Sequence, residues 1–131
     1  MIIDKVILDE LTKRAQNTPR LRMVLDLRDT QDDDSQRIIN AIEPGTELPI
    51  HRHCKSCETA ICIRGHYEEY FYDEKGNITE IIDMRPGGIV LNVPIGQWHN
   101  IRSLESGTIL FECKNGKYEP CAPEDILINE K

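Results

Sequence analysis

From Arg37 onward the chain breaks into short apolar runs punctuated by turn residues: Pro44-Gly45, Gly65, Glu74-Lys75-Gly76-Asn77, Pro86-Gly87-Gly88, Pro94-Ile95-Gly96, Ser106-Gly107 and Asn115-Gly116. Strands spaced in this way close into an antiparallel barrel or sandwich. The first twenty residues have a different texture. Ile3, Ile7, Leu8, Leu11 and Ala15 mark the stripe of an amphipathic helix, and Asn17-Thr18-Pro19 supplies its stop. The expectation is a mainly β domain over residues 1–131, with one N-terminal α-helix within 1–20 and a barrel core over 36–116. No repeat, low-complexity tract or linker divides it. A chain of this length buries roughly two-thirds of the surface that its unfolded form exposes.

Charge and cysteine usage narrow the partners. A formal net charge of -7 with no basic stripe argues against nucleic acid. No apolar run approaches the ~18 residues of a membrane span, and Met1-Ile2-Ile3-Asp4 lacks the regions of a signal peptide, so the expectation is a soluble cytoplasmic protein without a membrane partner. Five cysteines, at 54, 57, 62, 113 and 121, read as free thiols in a reducing compartment. The acidic stretch Asp29 to Ser35 reads as a solvated loop rather than a cation site.

Two segments carry the chemistry. His51 and His53 are two residues apart, so on a strand both imidazoles leave the same face and can converge on one ion, whereas a helix would splay them. Glu58 follows after a four-residue bend and opens the run Thr59 to Arg64, with Ala60 and Cys62 on its face. Gly65 then releases the strand into a turn. His99 stands just past the tight turn Pro94-Ile95-Gly96, which re-aims the chain toward the same interior. With this composition, the five fixed positions of the first segment arise by chance with a probability on the order of 1 in 10,000. The expected metal ligands are therefore His51, His53, Glu58 and His99, holding one divalent transition metal ion: Fe, Mn, Zn or Ni. Four protein ligands would close a tetrahedral zinc shell, while a five- or six-coordinate ion keeps positions open for water or substrate; a barrel interior favours the open site.

Other residues are candidates for contacting a small-molecule ligand. Gln97 is expected on the face of His99, Arg64 at the mouth of the site, where a guanidinium grips carboxylate or phosphate, and Cys62 beside the metal. Trp98 is expected to point away from the metal into packing, and His66 to meet solvent. The inward face of Tyr67 to Tyr72 does not declare itself. Cys54-x-x-Cys57 lacks the second pair of a zinc ribbon and reads as loop sequence.

The segments Gly45 to Gly65 (G-x5-H-x-H-x4-E-x6-G) and Gly88 to His99 (G-x5-P-x-G-x2-H) resemble the two signature motifs of the cupin superfamily. Within it the chain resembles the WbuC family of cupin-fold metalloproteins, through Pro19 to Arg22, Gln36 to Thr46, His51 to His53, Pro94 to His99, Leu104 to Gly116 and Ala122 to Asp125. The resemblance implies a double-stranded β-helix, or jelly-roll barrel, with the metal on His51, His53, Glu58 and His99, and a homodimer. It also implies a place in surface-polysaccharide (O-antigen) metabolism. Ser103 replaces the asparagine that usually closes the second motif, and a hydroxyl there can still tie down a turn. Asp26-Leu27-Arg28 replaces an Asn-Phe-His-like segment. Three functions follow as expectations: a metal-dependent enzyme acting on a sugar or sugar nucleotide, a non-catalytic metal-dependent carbohydrate-binding or sensor protein, or a structural metal in an interaction scaffold. Metal-free epimerases of this fold lack the ligands that this chain retains.

Overall fold

A computed structural model describes residues 1–127. Helix α1 spans Lys5–Gln16. The Asp4 carboxylate caps it by accepting from the Ile7 N–H, and the Asn17 amide donates back to the Lys13 carbonyl, so the helix occupies the middle of the 1–20 span expected for it. Ten strands follow among the described residues: β1 (Arg22–Asp26), β2 (Ser35–Ile42), β3 (Ile50–His51), β4 (Glu58–Arg64), β5 (Tyr67–Tyr72), β6 (Ile78–Met84), β7 (Leu91–Val93), β8 (Trp98–Ser103), β9 (Thr108–Asn115) and β10 (Ile126–Leu127). A 3₁₀ turn, Pro123–Asp125, leads into the last of them.

The strands form two antiparallel five-stranded sheets, in the orders β1-β2-β9-β4-β7 and β10-β3-β8-β5-β6. This is the jelly-roll arrangement expected of a cupin. Because side chains alternate between faces and cross-strand partners share a face, the register sorts the core into two compartments. Ile39, Ala41 and Ile109 lie on the outer face of the first sheet, where they pack against Leu8, Leu11 and Ala15 of α1. Burying each leucine stabilises the helix by about 1.5–3 kcal/mol, which a helix this short needs, since it is marginal on its own. The inner face carries Ile42, Cys62 and Leu110, which meet Tyr67 and Met84 of the facing sheet and fill one end of the barrel. The other end is left to polar groups.

The acidic stretch after β1 is a loop in which Asp33 accepts from the backbone N–H groups of Asp29 and Ser35 and pairs with Arg37 at 2.8 Å. Ser103 ties down the β8–β9 turn by donating to the Glu105 carbonyl at 3.1 Å.

Candidate metal centre

Three short elements bring the site together. In β3, His51 pairs directly with His99 of β8. The Gly96 N–H donates to the His53 carbonyl at 2.8 Å, so the turn before β8 is bonded to the segment after β3. Glu58 opens β4, opposite Lys114 of β9 and Val93 of β7, and faces the same interior. The three imidazoles bring one nitrogen each within 4.8 Å of one another. Glu58 Oε2 is 3.4 Å from His53 Nε2 and 3.5 Å from His99 Nε2.

These separations discriminate between two states of the same atoms. His53 Nε2, Glu58 Oε2 and His99 Nε2 are all buried and none has a hydrogen-bond partner. Buried polar atoms left unpaired cost about 1–3 kcal/mol each, so three converging on one point call for an explanation. Two ligand atoms each about 2.1 Å from a shared ion stand roughly 3.0–3.4 Å apart, which is close to what His53, Glu58 and His99 show. The donor set of imidazole nitrogens with one carboxylate oxygen suits a divalent transition metal.

Electrostatics favour the same use. Burial lowers the pKa of His51, and lowers that of His99 to about 3, so these rings are held neutral with a lone pair to offer. For Glu58, burial works against ionisation, but the hydrogen bond from Glu112, the adjacent His53 and His99 and the charge of Lys114 outweigh it and hold the carboxyl well below the usual range. Glu112 takes the opposite state. Burial, then the charge of Glu58, keeps it protonated, and its Oε1 accepts from Asn40 Nδ2 at 2.9 Å.

The outer partners of the rings are specific. His51 Nδ1 donates to the Pro49 carbonyl at 3.0 Å, and His99 Nδ1 donates to Glu69 Oε1 at 2.8 Å. Each bond fixes the tautomer that leaves Nε2 free. Glu69 was hidden from the sequence because Tyr67 to Tyr72 carries large or charged residues on both faces; in the structure Tyr67, Glu69 and Phe71 are the buried set. The signal that would have found it is pairing, since Phe71, on Glu69's face, sits opposite His99. Replacing Glu69 by Ala is expected to weaken metal affinity about 10–100-fold, with Glu69→Gln, which retains an acceptor for Nδ1–H, much closer to wild type. Competition against a chelating indicator measures both.

A second support also escaped the sequence. Asp125 accepts from Arg52 Nε at 2.8 Å and from the Cys54 thiol at 3.1 Å, its carbonyl takes the Arg52 N–H, and β10 pairs Ile126 with His51. The C-terminal segment thus straps the ligand-bearing strand, and Cys54 serves that strap.

A cavity of about 180 Å³ adjoins the ligand cluster, with His51, Glu58 and His99 among its walls. The three residues expected to contact a ligand, Gln97, Arg64 and Cys62, are not in its lining. A β-bulge between Cys62 and Arg64 reverses the alternation, so Arg64 pairs with Ile109 on the outer face and binds Asp9, Thr12 and the Gly107 carbonyl at 2.7–2.9 Å, fastening α1 to the barrel. Gln97 lies in the turn before β8 begins, where period-two parity does not hold, and its amide donates to the Tyr72 and Trp98 carbonyls. Cys62 does face inward, but at the apolar end of the barrel, where burial raises its thiol pKa to about 11. Trp98 is buried on the face away from the ligands, with the Arg52 guanidinium 4.5 Å from its ring centroid. His66 pairs with Asp83.

Two sheets in jelly-roll order, with a cluster able to hold a metal ion inside the barrel, define a cupin-fold protein. Residues 3–84 match the family described as "Domain of unknown function (DUF6016)", and the chain belongs to that family. Among solved structures it is similar to the capsular polysaccharide assembling protein CapF from Staphylococcus aureus, at 22% identity and TM-score 0.66, over 87% of this chain and 33% of that one. It is also similar to KdgF from Halomonas sp. (16% identity, TM-score 0.61, 78% of this chain and 85% of that one) and to a recombinant oxalate oxidase in complex with glycolate (16%, 0.62, 78% and 54%). The chain therefore spans about a third of CapF. No curated protein matches.

Proposed function

We propose that this chain is a metal-dependent enzyme acting on a small polar substrate, a sugar or sugar nucleotide of surface-polysaccharide metabolism, with the ion held by His51, His53, Glu58 and His99. The observation that carries it is the set of three unpartnered buried ligand atoms converging beside a cavity. A divalent ion bound there would supply Lewis acidity to a substrate oxygen. The chain's own groups would do the rest: Glu69 orients His99, Glu112 holds a proton beside Glu58, and on the cavity wall Asn40 fixes Glu112 while Asn100 ties the Tyr72 hydroxyl to the Leu48 carbonyl. The polysaccharide assignment is supported by the WbuC-like sequence segments and by the similarity to CapF. One cupin domain acting as a cytoplasmic homodimer belongs to the same reading, and light scattering measures its oligomeric state.

A second reading, a non-catalytic metal-dependent carbohydrate-binding or sensor protein, is favoured by the engagement of both extra carboxyl groups. Glu69 is bonded to His99 and Glu112 to Glu58 and Asn40, so neither stands free as an acid or base. Elemental analysis of untagged protein prepared without added metal, followed by assay and calorimetry against a sugar-nucleotide and keto-acid panel, separates the two. Turnover supports the enzyme; tight binding without turnover supports the sensor; protein that is metal-free and does not take up metal sinks both.

A further inference from the structure

We propose that Lys114 anchors an anionic group, a carboxylate or a phosphate, on the ligand that occupies the metal-site cavity, so that the substrate class is a small organic acid or an acid-bearing sugar; this rests on the metal-site reading above. Lys114 lies on β9 directly opposite Glu58, shares its inward face and lines the same cavity. Its position is what a metal-bound ligand would need from a second contact: one end of the ligand at the ion, the other at a cation one strand away, about 5 Å between strands.

The ammonium group is also uncommitted. Among the described residues, Lys5, Lys55 and Lys117 pair with Asp9, Glu119 and Asp32 at 2.6–3.8 Å, and Lys13 and Lys75, which have no carboxylate partner, stand exposed to water, whereas Lys114 is half-buried. Lys114 shares a cavity with three carboxyl groups, Glu58, Glu69 and Glu112, yet makes no hydrogen bond and no ion pair within 4.0 Å among the described residues. Drawing a lysine partly out of water without giving its three donors a partner is unfavourable. A ligand oxygen would supply the missing partner, in surroundings where the apolar walls Ala60 and Leu110 make charge pairing stronger than in water. The cavity's other cation, Arg22, belongs to a different place. Ile42 pairs with both Arg22 and Thr108, six residues from Lys114 along β9, or roughly 20 Å. Arg22 therefore serves as the control for a diffuse positive field.

The test uses full-length protein loaded with cobalt(II), whose visible absorption reports ligands reaching the ion. Acetate and inorganic phosphate are titrated, with acetamide as the neutral counterpart of acetate. Wild type is expected to bind about one cobalt and to bind at least one of the two anions more tightly than acetamide; which anion is tighter distinguishes carboxylate from phosphate. Lys114→Met is expected to weaken anion binding about 10–100-fold, leaving cobalt content and acetamide binding unchanged, with Lys114→Arg restoring most of the affinity. Anion affinity unchanged in Lys114→Met, equal losses in Lys114→Met and Arg22→Gln, or loss of cobalt from Lys114→Met would each overturn the anchor. The last would make Lys114 a counter-charge for Glu58. Wild type that takes up no cobalt overturns the metal site itself, a separate failure.

Discussion

His99→Ala is expected to reduce bound metal from about one ion per chain to less than about a tenth, measured by elemental analysis after dialysis. His99 is the most buried of the three imidazoles, at 3% exposure, and it joins three parts of the site: its Nε2 faces Glu58, its Nδ1 bonds Glu69, and its backbone pairs with His51. Loss of a direct ligand should exceed the 10–100-fold expected for its outer partner Glu69, so the order His99→Ala, then Glu69→Ala, then Glu69→Gln is itself a result to check. The fold should survive the substitution, because His99 belongs to neither apolar cluster. Circular dichroism tests that point. Full metal content in a folded His99→Ala protein would refute the ligand set.

Gly65→Ala is expected to destabilise the protein by about 3 kcal/mol, lowering Tm by about 10 °C for a chain of this size. Two costs add. Gly65 has φ +83°, which charges an L-residue roughly 1–2 kcal/mol. An added Cβ would also stand 2.5 Å from Thr108 Oγ1 and 2.7 Å from the Thr108 Cα, and backbone cannot rotate away. Thr108 is fully buried and holds this corner together, accepting from the His66 N–H and donating to the Glu105 carbonyl. Gly107→Ala separates the terms. Its φ is +86° with nothing within 4 Å of the added Cβ, so it should cost only the conformational part. Equal melting shifts in the two variants would show that the contact with Thr108 is harmless.

Legibility from sequence followed the range of the interaction. The turn residues, the alternation after Glu58 and the stripe of α1 act over a few residues, and they were enough for a mainly β fold with one leading helix. The convergence of His51, His53, Glu58 and His99 could also be anticipated from the spacing of the two motifs, although β3 ends at His51 and His53 lies just beyond it rather than on the same strand. Parity failed where the backbone departs from a regular strand. One extra residue in the β4–β9 ladder turned Arg64 from the cavity to the helix, and Gln97 lies in a turn where alternation has no meaning.

What only the tertiary structure decided is the surroundings of those ligands. Glu69 comes from β5, Glu112 and Lys114 from β9 and Asp125 from the C-terminal segment, and no local pattern distinguishes them from solvated charges. Pairing does: Lys114 faces the cavity because β9 registers against Glu58, and Asp125 reaches Arg52 because β10 pairs with β3. The sequence by itself determined, through the spacing of its two motifs, which side chains are proposed to hold an ion. Register between distant strands decided which charges surround that ion, because cross-strand contact depends on the closed sheet rather than on neighbours in the chain.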